Sequence, residues 1–295
     1  MTKNNQPING WIILDKPSGI SSAYAVGKVK RLLRPKKIGH AGTLDPLASG
    51  ILPLALGEAT KTVSYMMDAR KSYQFTVTWG AQYDTDDCNG EPIEQSNQRP
   101  TREAIEAILP RFSGSIEQIP PLYSAIKVNG KRAYALARAG ELPELKSRQI
   151  TVYSLRITDH HIDKTTFICD CSKGTYIRSL ARDMGQILGC FGHITALRRL
   201  QVGHFLEKDA ISLENLEEMV HKGGGFLQPV DSALDDILAF EITHHQATLL
   251  RQGQAISVTN LGSYDAALAR CDNEPIALCQ LLEGVVKPLR VFNLP

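Results

Sequence analysis

The sequence lacks the short motifs that bind nucleotide cofactors, nucleoside triphosphates or catalytic zinc. Its 295 residues contain no GxGxxG, no GxxxxGK[ST] and no HExxH. These are the patterns in which glycine-rich loops bind phosphates or paired histidines bind zinc. Any reaction is therefore expected to depend on side chains alone, with neither a cofactor nor a metal ion.

Long apolar runs and paired cysteines are also missing. No stretch approaches the roughly 18 apolar residues of a membrane helix, and the first ten residues lack the apolar segment of a secretory signal. The six cysteines form no CxxC pair, which is typical of reduced thiols. These absences predict a cytoplasmic protein without a membrane partner. Cys169 and Cys171, with His160 or His161, offer a conceivable metal site, but two small core residues are the favoured interpretation.

Net charge is only +2, but the basic residues are unevenly distributed. Residues 1–40 have Asp15 as their single acid and carry eight basic side chains: Lys3, Lys16, Lys28, Lys30, Arg31, Arg34, Lys36 and Lys37. A second basic stretch is opposed by Asp183 alone and contains Lys173, Arg178, Arg182, Arg198 and Arg199. Such clusters suit a polyanionic partner, although a run of charge is more often a solvated face.

Local patterns predict both strands and helices. An apolar run at residues 11–14 reads as a strand, and a helix capped by Ser21 or Ser22 should extend to Pro35. Further strands are predicted at 51–56, 71–80, 150–158, 165–171 and within 193–205, and further helices at 59–67, 101–109, 174–188 and 231–238. The buried stripe of the helix at 174–188 would comprise Ile177, Leu180, Ala181, Met184, Ile187 and Leu188. Residues 120–150 read as an insertion that stands off the core.

Residues 39–50, GHAGTLDPLASG, form the most informative segment. Three glycines allow tight turns and a close approach of a ligand to the backbone. Asp45, between Leu44 and Pro46, would be a carboxylate presented on a stiff loop among apolar neighbours. From the local pattern alone, an aspartate that initiates a turn before proline is the more common interpretation.

A resemblance to a known family reverses that preference. Residues 39–61, GHAGTLDPLASGILPLALGEATK, resemble the catalytic motif of the TruB family of pseudouridine synthases, in which the aspartate of the LDP element is essential. Four further segments resemble the same family in the same order: residues 71–73, 84–90, 120–138 and 172–180. Five ordered matches within residues 11–200 are very specific. The main departure is Ala41, where the family often has threonine.

The resemblance implies a fold and a reaction. The fold would be α+β, with a catalytic domain at residues 1–238 built on a mixed, mainly antiparallel sheet flanked by helices. An RNA-clasping insertion would occupy about residues 124–150, and residues 239–295 would form a small β-rich, PUA-like RNA-binding domain. The protein would isomerise uridine 55 in the T-arm of tRNA to pseudouridine, as a monomer without an obligatory protein partner.

The catalytic residues that the resemblance implies are Asp45, Tyr73 and Arg178. Asp45 would attack C1′ or C6 or remove the 2′ proton, and the sequence leaves these routes open. Arg178 would pair with Asp45 and keep it ionised, although an isolated arginine on a helix is usually a surface residue. Tyr73 would stack on the extracted uracil and move the C5 proton, unless it is a core aromatic like Phe75.

Further residues would bind the substrate. The target base must leave its stack in the RNA loop, and His40 would fill the vacated space. Leu197 would pack against the base pocket, although the position also suits the core. The remaining candidates would contact phosphates or base edges: Lys16, Asp87 and Tyr176, with Lys127, Lys131, Arg132 and Arg138 from the insertion.

Two rival functions remain open from the sequence. A guide-RNA-dependent relative would work inside a ribonucleoprotein, but residues 125–150 argue against it because such relatives are expected to lack this insertion. An RNA chaperone would remodel tRNA without chemistry. The joint presence of Asp45, Tyr73 and Arg178 favours a protein that performs chemistry.

Overall fold

The computed structural model describes residues 7–141 and 143–295, so Lys3 and the rest of the polar N-terminal segment before Pro7 lie outside the described residues. The strands are β1 (Gly10–Lys16), β2 (Ile38–His40), β3 (Ser49–Leu56), β4 (Lys71–Trp79), β5 (Ala81–Tyr83), β6 (Pro92–Gln95), β7 (Gly114–Gln118), β8 (Lys127–Val128), β9 (Lys131–Arg132), β10 (Arg148–His161), β11 (Lys164–Cys171), β12 (Gly192–Val202), β13 (Phe205–Leu206), β14 (Leu238–Glu241), β15 (Ile256–Ser257), β16 (Tyr264–Cys271), β17 (Glu274–Leu282) and β18 (Val285–Val291). The helices are α1 (Ser22–Leu33), α2 (Val63–Asp68), α3 (Arg102–Ile108), α4 (Ala133–Arg138), α5 (Ile177–Ile187), α6 (Leu213–Lys222) and α7 (His244–Arg251).

A mixed sheet forms the centre of the larger part of the molecule. Its strands follow the order β1-β3-β12-β4-β11-β10-β7, with β2 beside β3 and β13 beside β12. Neighbouring strands are antiparallel except β3 and β12, which run parallel. The predicted α+β fold with a mixed, mainly antiparallel sheet is confirmed. The sheet brings the ends of β2, β3, β4 and β12 to one place, where the candidate site lies.

Helix α1 begins and ends where the sequence predicts. The Ser21 hydroxyl accepts a hydrogen bond from Tyr24 N at 3.1 Å, which satisfies one of the free N–H groups of the first turn. The helix ends at Leu33, and the next residue, Arg34, adopts the left-handed conformation before Pro35. Its buried side chains Ala25 and Val29 join the main core, so the helix lies on the sheet with its basic face outward.

Helix α5 also packs with most of its predicted stripe. The buried members are Ile177, Leu180, Ala181 and Met184. Ile187 does not belong to the stripe, since it is 41% exposed. The helix ends at this residue, so no following turn covers its side chain.

Two predicted helices are partly wrong. Residues 59–67 form a 3₁₀ helix, Gly57–Thr62, that continues into α2. Residues 231–238 form a short 3₁₀ helix, Val230–Leu234, after which the chain enters β14. Because β14 pairs with β16, contacts with a distant strand override the local helical pattern there.

The segment between β7 and β10 has little regular structure. It contains the two-residue strands β8 and β9 and the short helix α4. Backbone hydrogen bonds from Ala133 N to Ile126 O and from Tyr134 N to Ser124 O, of 2.7 and 3.0 Å, fold it back on itself. Ala133 and Leu136 are the buried side chains of α4, so this segment depends mainly on local bonds for its shape.

The C-terminal residues form a second sheet in the order β14-β16-β17-β18-β15, as the predicted β-rich module requires. The predicted boundary between residues 238 and 239 falls one residue inside β14. Leu268, Leu278 and Phe292 pack in one cluster with Trp11 of β1, so the two sheets share apolar contacts. None of the helices in the described ranges is both long and apolar enough to cross a membrane.

Candidate active site

The loop between β2 and β3 holds Asp45 in a defined position. The Ser22 hydroxyl accepts from Leu44 N at 2.8 Å and donates to Leu44 O at 2.9 Å. The N–H of Gly19 donates to Pro46 O at 2.8 Å. Since the backbone is fixed on both sides of Asp45, its side chain, which is 36% exposed, is presented at the surface of a cleft.

A buried arginine braces the other side of this loop. Arg199 is 1% exposed and donates to Gly42 O at 3.0 Å and to Ile51 O at 2.7 Å. Gly50, with φ of +98°, allows β3 to approach it, because a Cβ there would lie 2.2 Å from Arg199 O. Arg199 is not among the site residues that the sequence predicts. Its spacing from Leu197 was an available signal, since residues i and i+2 share a face of a strand.

Arg178 and Asp45 form an ion pair, with Arg178 Nε 2.9 Å from Asp45 Oδ2. The same guanidinium donates from Nη1 to Thr85 O at 2.8 Å and from Nη2 to Tyr123 O at 2.9 Å. The expected alternative of a surface arginine is wrong, because the Arg178 side chain is only 4% exposed. Its planar, multiply bonded head holds the partner carboxylate in a fixed orientation.

Asp87 lies behind this pair. Its Oδ2 is 3.8 Å from Arg178 Nε, and its Oδ1 accepts from Thr85 Oγ1 and Asn89 N, both at 3.0 Å. The side chain is 7% exposed. These bonds place Asp87 where it stabilises the turn and the arginine, which differs from the direct RNA contact that the sequence predicted.

The first of two clefts at Asp45 has a volume of about 700 Å³. Tyr73, Tyr176 and Leu197 line it together with Asp45 and Arg178. Burial raises the pKa of the Tyr73 hydroxyl, while the neighbouring Arg199 opposes that rise. The cleft therefore places two aromatic rings and an apolar side chain beside the Asp45 carboxylate, which suits a planar, uncharged base.

The second cleft, of about 840 Å³, meets the first at Asp45 and Arg178. His40 lines it, and Arg132, Tyr134 and Arg138 of the insertion face it. Burial, and next the charge of Arg199, lowers the pKa of His40, so its ring is favoured in the neutral form. His40 Nδ1 is buried without a hydrogen-bond partner among the described residues. The insertion and the loop that carries Asp45 thus form two walls of one groove.

Three other predicted residues differ in exposure. Lys16 is fully buried, and its Nζ donates to Pro17 O and Ile20 O, each at 2.8 Å, so the protein itself engages this ammonium group and its contact with RNA stays a prediction. Tyr176 is half-buried, and its backbone N and O both bond to the Gln118 side chain. Lys127 is exposed in the insertion but lines neither cleft.

The second basic stretch is not an open cationic surface. Arg178 and Arg199 are buried, and the other three residues are engaged in five ion pairs: Lys173 with Asp68, Arg182 with Asp86 and Asp183, and Arg198 with Asp15 and Glu207. The first stretch is different. Lys30, Arg31, Arg34, Lys36 and Lys37 are exposed and form no ion pair within the described ranges. The charge available to a polyanion thus lies at the end of α1.

Cys169 and Cys171 are both fully buried in the main apolar cluster. This position is consistent with the prediction that they are core residues. Among the described residues, three potential metal ligands come together at a different place. The ligand atoms of His244, Cys271 and Asp272 lie within 4.8 Å of one another. His244 and Asp272 are 83% and 75% exposed and pair with each other at 3.0 Å.

Comparisons with known proteins agree along most of the chain. Residues 30–177 match the family model described as TruB family pseudouridylate synthase (N terminal domain), and residues 178–235 match the tRNA pseudouridylate synthase B C-terminal domain. The tRNA pseudouridine synthase B of Bradyrhizobium diazoefficiens is 50% identical over 99% of this chain and 88% of its own length. That of a Caulobacter species is 47% identical over 99% and 98%.

Solved structures share the fold. A Cbf5-Nop10-Gar1 complex contains a chain with a TM-score of 0.76 and 24% identity, covering 100% of this chain and 92% of that one. An H/ACA RNP bound to a substrate RNA containing 2′-deoxyuridine gives a TM-score of 0.74 at 24% identity, covering 96% and 84%. At this identity the likeness concerns the fold alone.

Proposed function

Because the chain belongs to the TruB family of pseudouridylate synthases, we propose that it converts uridine 55 in the T-arm of tRNA into pseudouridine. Its relatives at 50% and 47% identity, both named tRNA pseudouridine synthase B, support a tRNA substrate. The enzyme is an isomerase. The N1–C1′ bond breaks, the freed uracil turns, C1′ bonds to C5, the C5 proton leaves and N1 gains a proton.

Asp45 is the residue that we propose starts this reaction. A glycosidase normally needs a second carboxylate to protonate a poor leaving group. Uracil leaves as a delocalised anion, so one carboxylate suffices. Attack at C1′, attack at C6 and removal of the 2′ proton all require an ionised and oriented carboxylate, and the Arg178 contact at 2.9 Å supports both properties.

The first cleft would hold the uracil. Tyr73 would stack on the base and take part in moving the C5 proton, and Leu197 would pack against the ring. Tyr176 would form a further wall. The raised pKa of Tyr73 keeps its hydroxyl protonated in the resting enzyme, so transfer of the C5 proton needs a relay through that hydroxyl or through water.

The second cleft would accept the part of the RNA loop from which the target uridine has been flipped out. Extraction of a stacked base costs a few kcal/mol. The neutral ring of His40 would occupy the vacated space, where it replaces part of the lost stacking. Arg132 and Arg138 would contact phosphates from the insertion side, with Lys127 farther out, and this arrangement is the basis for proposing that residues 124–150 clasp the RNA.

The wider tRNA surface would contact two further regions. The exposed cations at the end of α1 suit phosphates, and we propose RNA binding also for the PUA-like module at residues 239–295. We also propose that the protein acts as a monomer, without a guide RNA or an obligatory protein partner, in the cytoplasm where bacterial tRNA is found.

One observation carries the proposal: a carboxylate paired with a buried arginine stands where two clefts meet. The test is to incubate the purified protein alone with unmodified tRNA transcript and to map pseudouridine by carbodiimide labelling. A single new stop at uridine 55 is expected. Modification that appears only after a guide RNA is added would support the ribonucleoprotein alternative, and tRNA refolding without any modification would support the chaperone.

A further inference from the structure

Five cationic side chains line the first cleft, and four of them are engaged by the protein. Arg178 binds Asp45 and two carbonyls, and Arg199 binds two carbonyls. Lys71 donates to the carbonyl oxygens of Met66, Met67 and Ala69, which end α2. Lys173 pairs with Asp68 at 3.0 Å. The fifth cation is Arg148.

Arg148 has no polar partner in the described part of the chain. Its Nε and Nη2 are buried without a hydrogen-bond acceptor. The carboxylates that line the cleft are Asp45 and Asp68, and both pair with other cations. Buried donors without acceptors are unfavourable, so this guanidinium is charged, positioned and unsatisfied in a cleft built for an RNA nucleotide.

The position of Arg148 is nevertheless well defined. The guanidinium carbon lies 4.6 Å from the centre of the Tyr176 ring. Tyr176 is fixed through its backbone by Gln118, which is the strand partner of Arg148 in the pairing of β7 and β10. A side chain that is stacked but not hydrogen-bonded retains its planar set of donors for a ligand.

We propose that Arg148 binds a phosphate of the RNA strand that carries the target uridine. A phosphodiester offers two oxygens to the planar donor groups of an arginine. It supplies the negative charge and the hydrogen-bond acceptors that Arg148 lacks within the described part of the protein. Such a contact fixes the strand without reading its sequence. The inference rests on the proposed tRNA substrate, and it assigns to Arg148 a binding role that is separate from the chemistry at Asp45.

The test compares Arg148→Met and Arg148→Lys with wild-type enzyme on tRNA transcript over a range of salt concentrations. For R148M we expect KM to rise about tenfold with a much smaller change in kcat. We also expect the slope of log(kcat/KM) against log[salt] to become shallower by about 0.7 to 0.9, the value for one released counterion. R148K should retain the wild-type slope. The matched control is Arg156→Met, on an exposed residue of β10 that does not line the cleft.

A second measurement applies even if R148M folds poorly, which circular dichroism would reveal. A T-arm RNA with a neutral methylphosphonate in place of a phosphate beside the target uridine should bind wild-type enzyme more weakly. R148K should show the same sensitivity, whereas Arg148→Gln should show none.

Equal salt slopes for wild type and R148M, or equal methylphosphonate sensitivity for wild type and R148Q, would overturn the phosphate contact. Equal defects in R148K and R148M would assign Arg148 to holding Tyr176 instead. Absence of pseudouridine with wild-type enzyme would instead reject the proposed function, since binding is measured separately.

Discussion

Arg178 and Asp45 are 133 positions apart in the chain, yet Arg178 Nε donates to Asp45 Oδ2 at 2.9 Å. The same guanidinium bonds to the carbonyls of Thr85 and Tyr123. One side chain therefore connects the start of α5 with the three segments that hold Asp45, Thr85 and Tyr123. Its removal should disturb the geometry of the site as well as its charge.

Arg178→Lys should lower kcat at least about a hundredfold, because lysine keeps the charge but cannot bind Asp45 and both carbonyls at once, and small misplacements of a catalytic group have costs of this size. KM for tRNA should change little. Tritium release from tRNA labelled at C5 of uridine measures both constants. Arg182→Lys is the control on the same helix, since Arg182 pairs with Asp86 and Asp183 and not with Asp45. A kcat near that of wild type in R178K would show that the fixed arginine head is unnecessary.

Arg199→Lys tests whether Arg199 holds the loop that carries Asp45 in place. The single ammonium group of lysine should lose the hydrogen bond to either the Gly42 or the Ile51 carbonyl. We therefore expect kcat to fall about tenfold or more because the loop is misplaced. KM should stay close to the wild-type value because Arg199 is buried. The opposite split, a raised KM with an unchanged kcat, would indicate that Arg199 contacts RNA directly.

Ser22→Ala should weaken both stability and catalysis. The variant leaves Leu44 N and O without their side-chain partner, and we expect a loss of about 1 to 3 kcal/mol in the free energy of unfolding together with a reduced kcat. Urea unfolding and tritium release provide the two readouts. Ser212→Ala removes the N-cap of α6 and should cost about 1 kcal/mol with kcat retained. Equal kcat values in the two variants would mean that Ser22 serves folding alone.

Local sequence patterns were sufficient for most strands and for α1. The alternation of Phe75, Val77 and Trp79 placed one buried face on β4, as the structure has it, and Ser21 and Pro35 bounded α1 correctly. These features depend on residues that are close in sequence. The register of β12, which is shifted twice against β4, depends on contacts between distant strands and left no local signal.

The buried cations were the main failure of the sequence analysis. Lys16 and Arg199 read as members of basic surface stretches, since lysine and arginine are almost never fully buried unless they are paired. Their partners are carbonyl oxygens, and the Gly42 carbonyl lies 157 positions from Arg199. Composition cannot reveal such partners. Asp45 was recognised because its motif resembles a known family, and its local pattern alone favoured an ordinary turn.

The burial of Lys16 predicts a dependence of stability on pH. Burial lowers the pKa of Lys16 from 10.5 to about 8, although the charge of Asp45 partly opposes the shift. Between about pH 8 and pH 10.5 the unfolded chain therefore binds more protons than the folded chain at this residue, so its contribution to the free energy of unfolding rises with pH. Lys16→Met removes this contribution.

Urea unfolding of wild type and K16M at several pH values between 7.5 and 10 tests this dependence. The difference in the free energy of unfolding, wild type minus variant, should increase across that range. Lys71, whose pKa burial also lowers to about 8, contributes equally to both proteins and cancels. A difference that stays constant with pH would mean that Lys16 titrates normally in the folded state.

The most direct measurement of the central claim is single-turnover isomerisation by Asp45→Asn. Asparagine keeps the size of the side chain and a carbonyl oxygen for Arg178, so tRNA affinity should remain within about threefold of wild type while transition-state stabilisation is lost. Asp163→Asn, which changes an exposed carboxylate paired with Arg99, is the control. With excess D45N enzyme, we expect no tritium release from C5 above background. Conversion of bound uridine by D45N within about tenfold of the wild-type rate would contradict it.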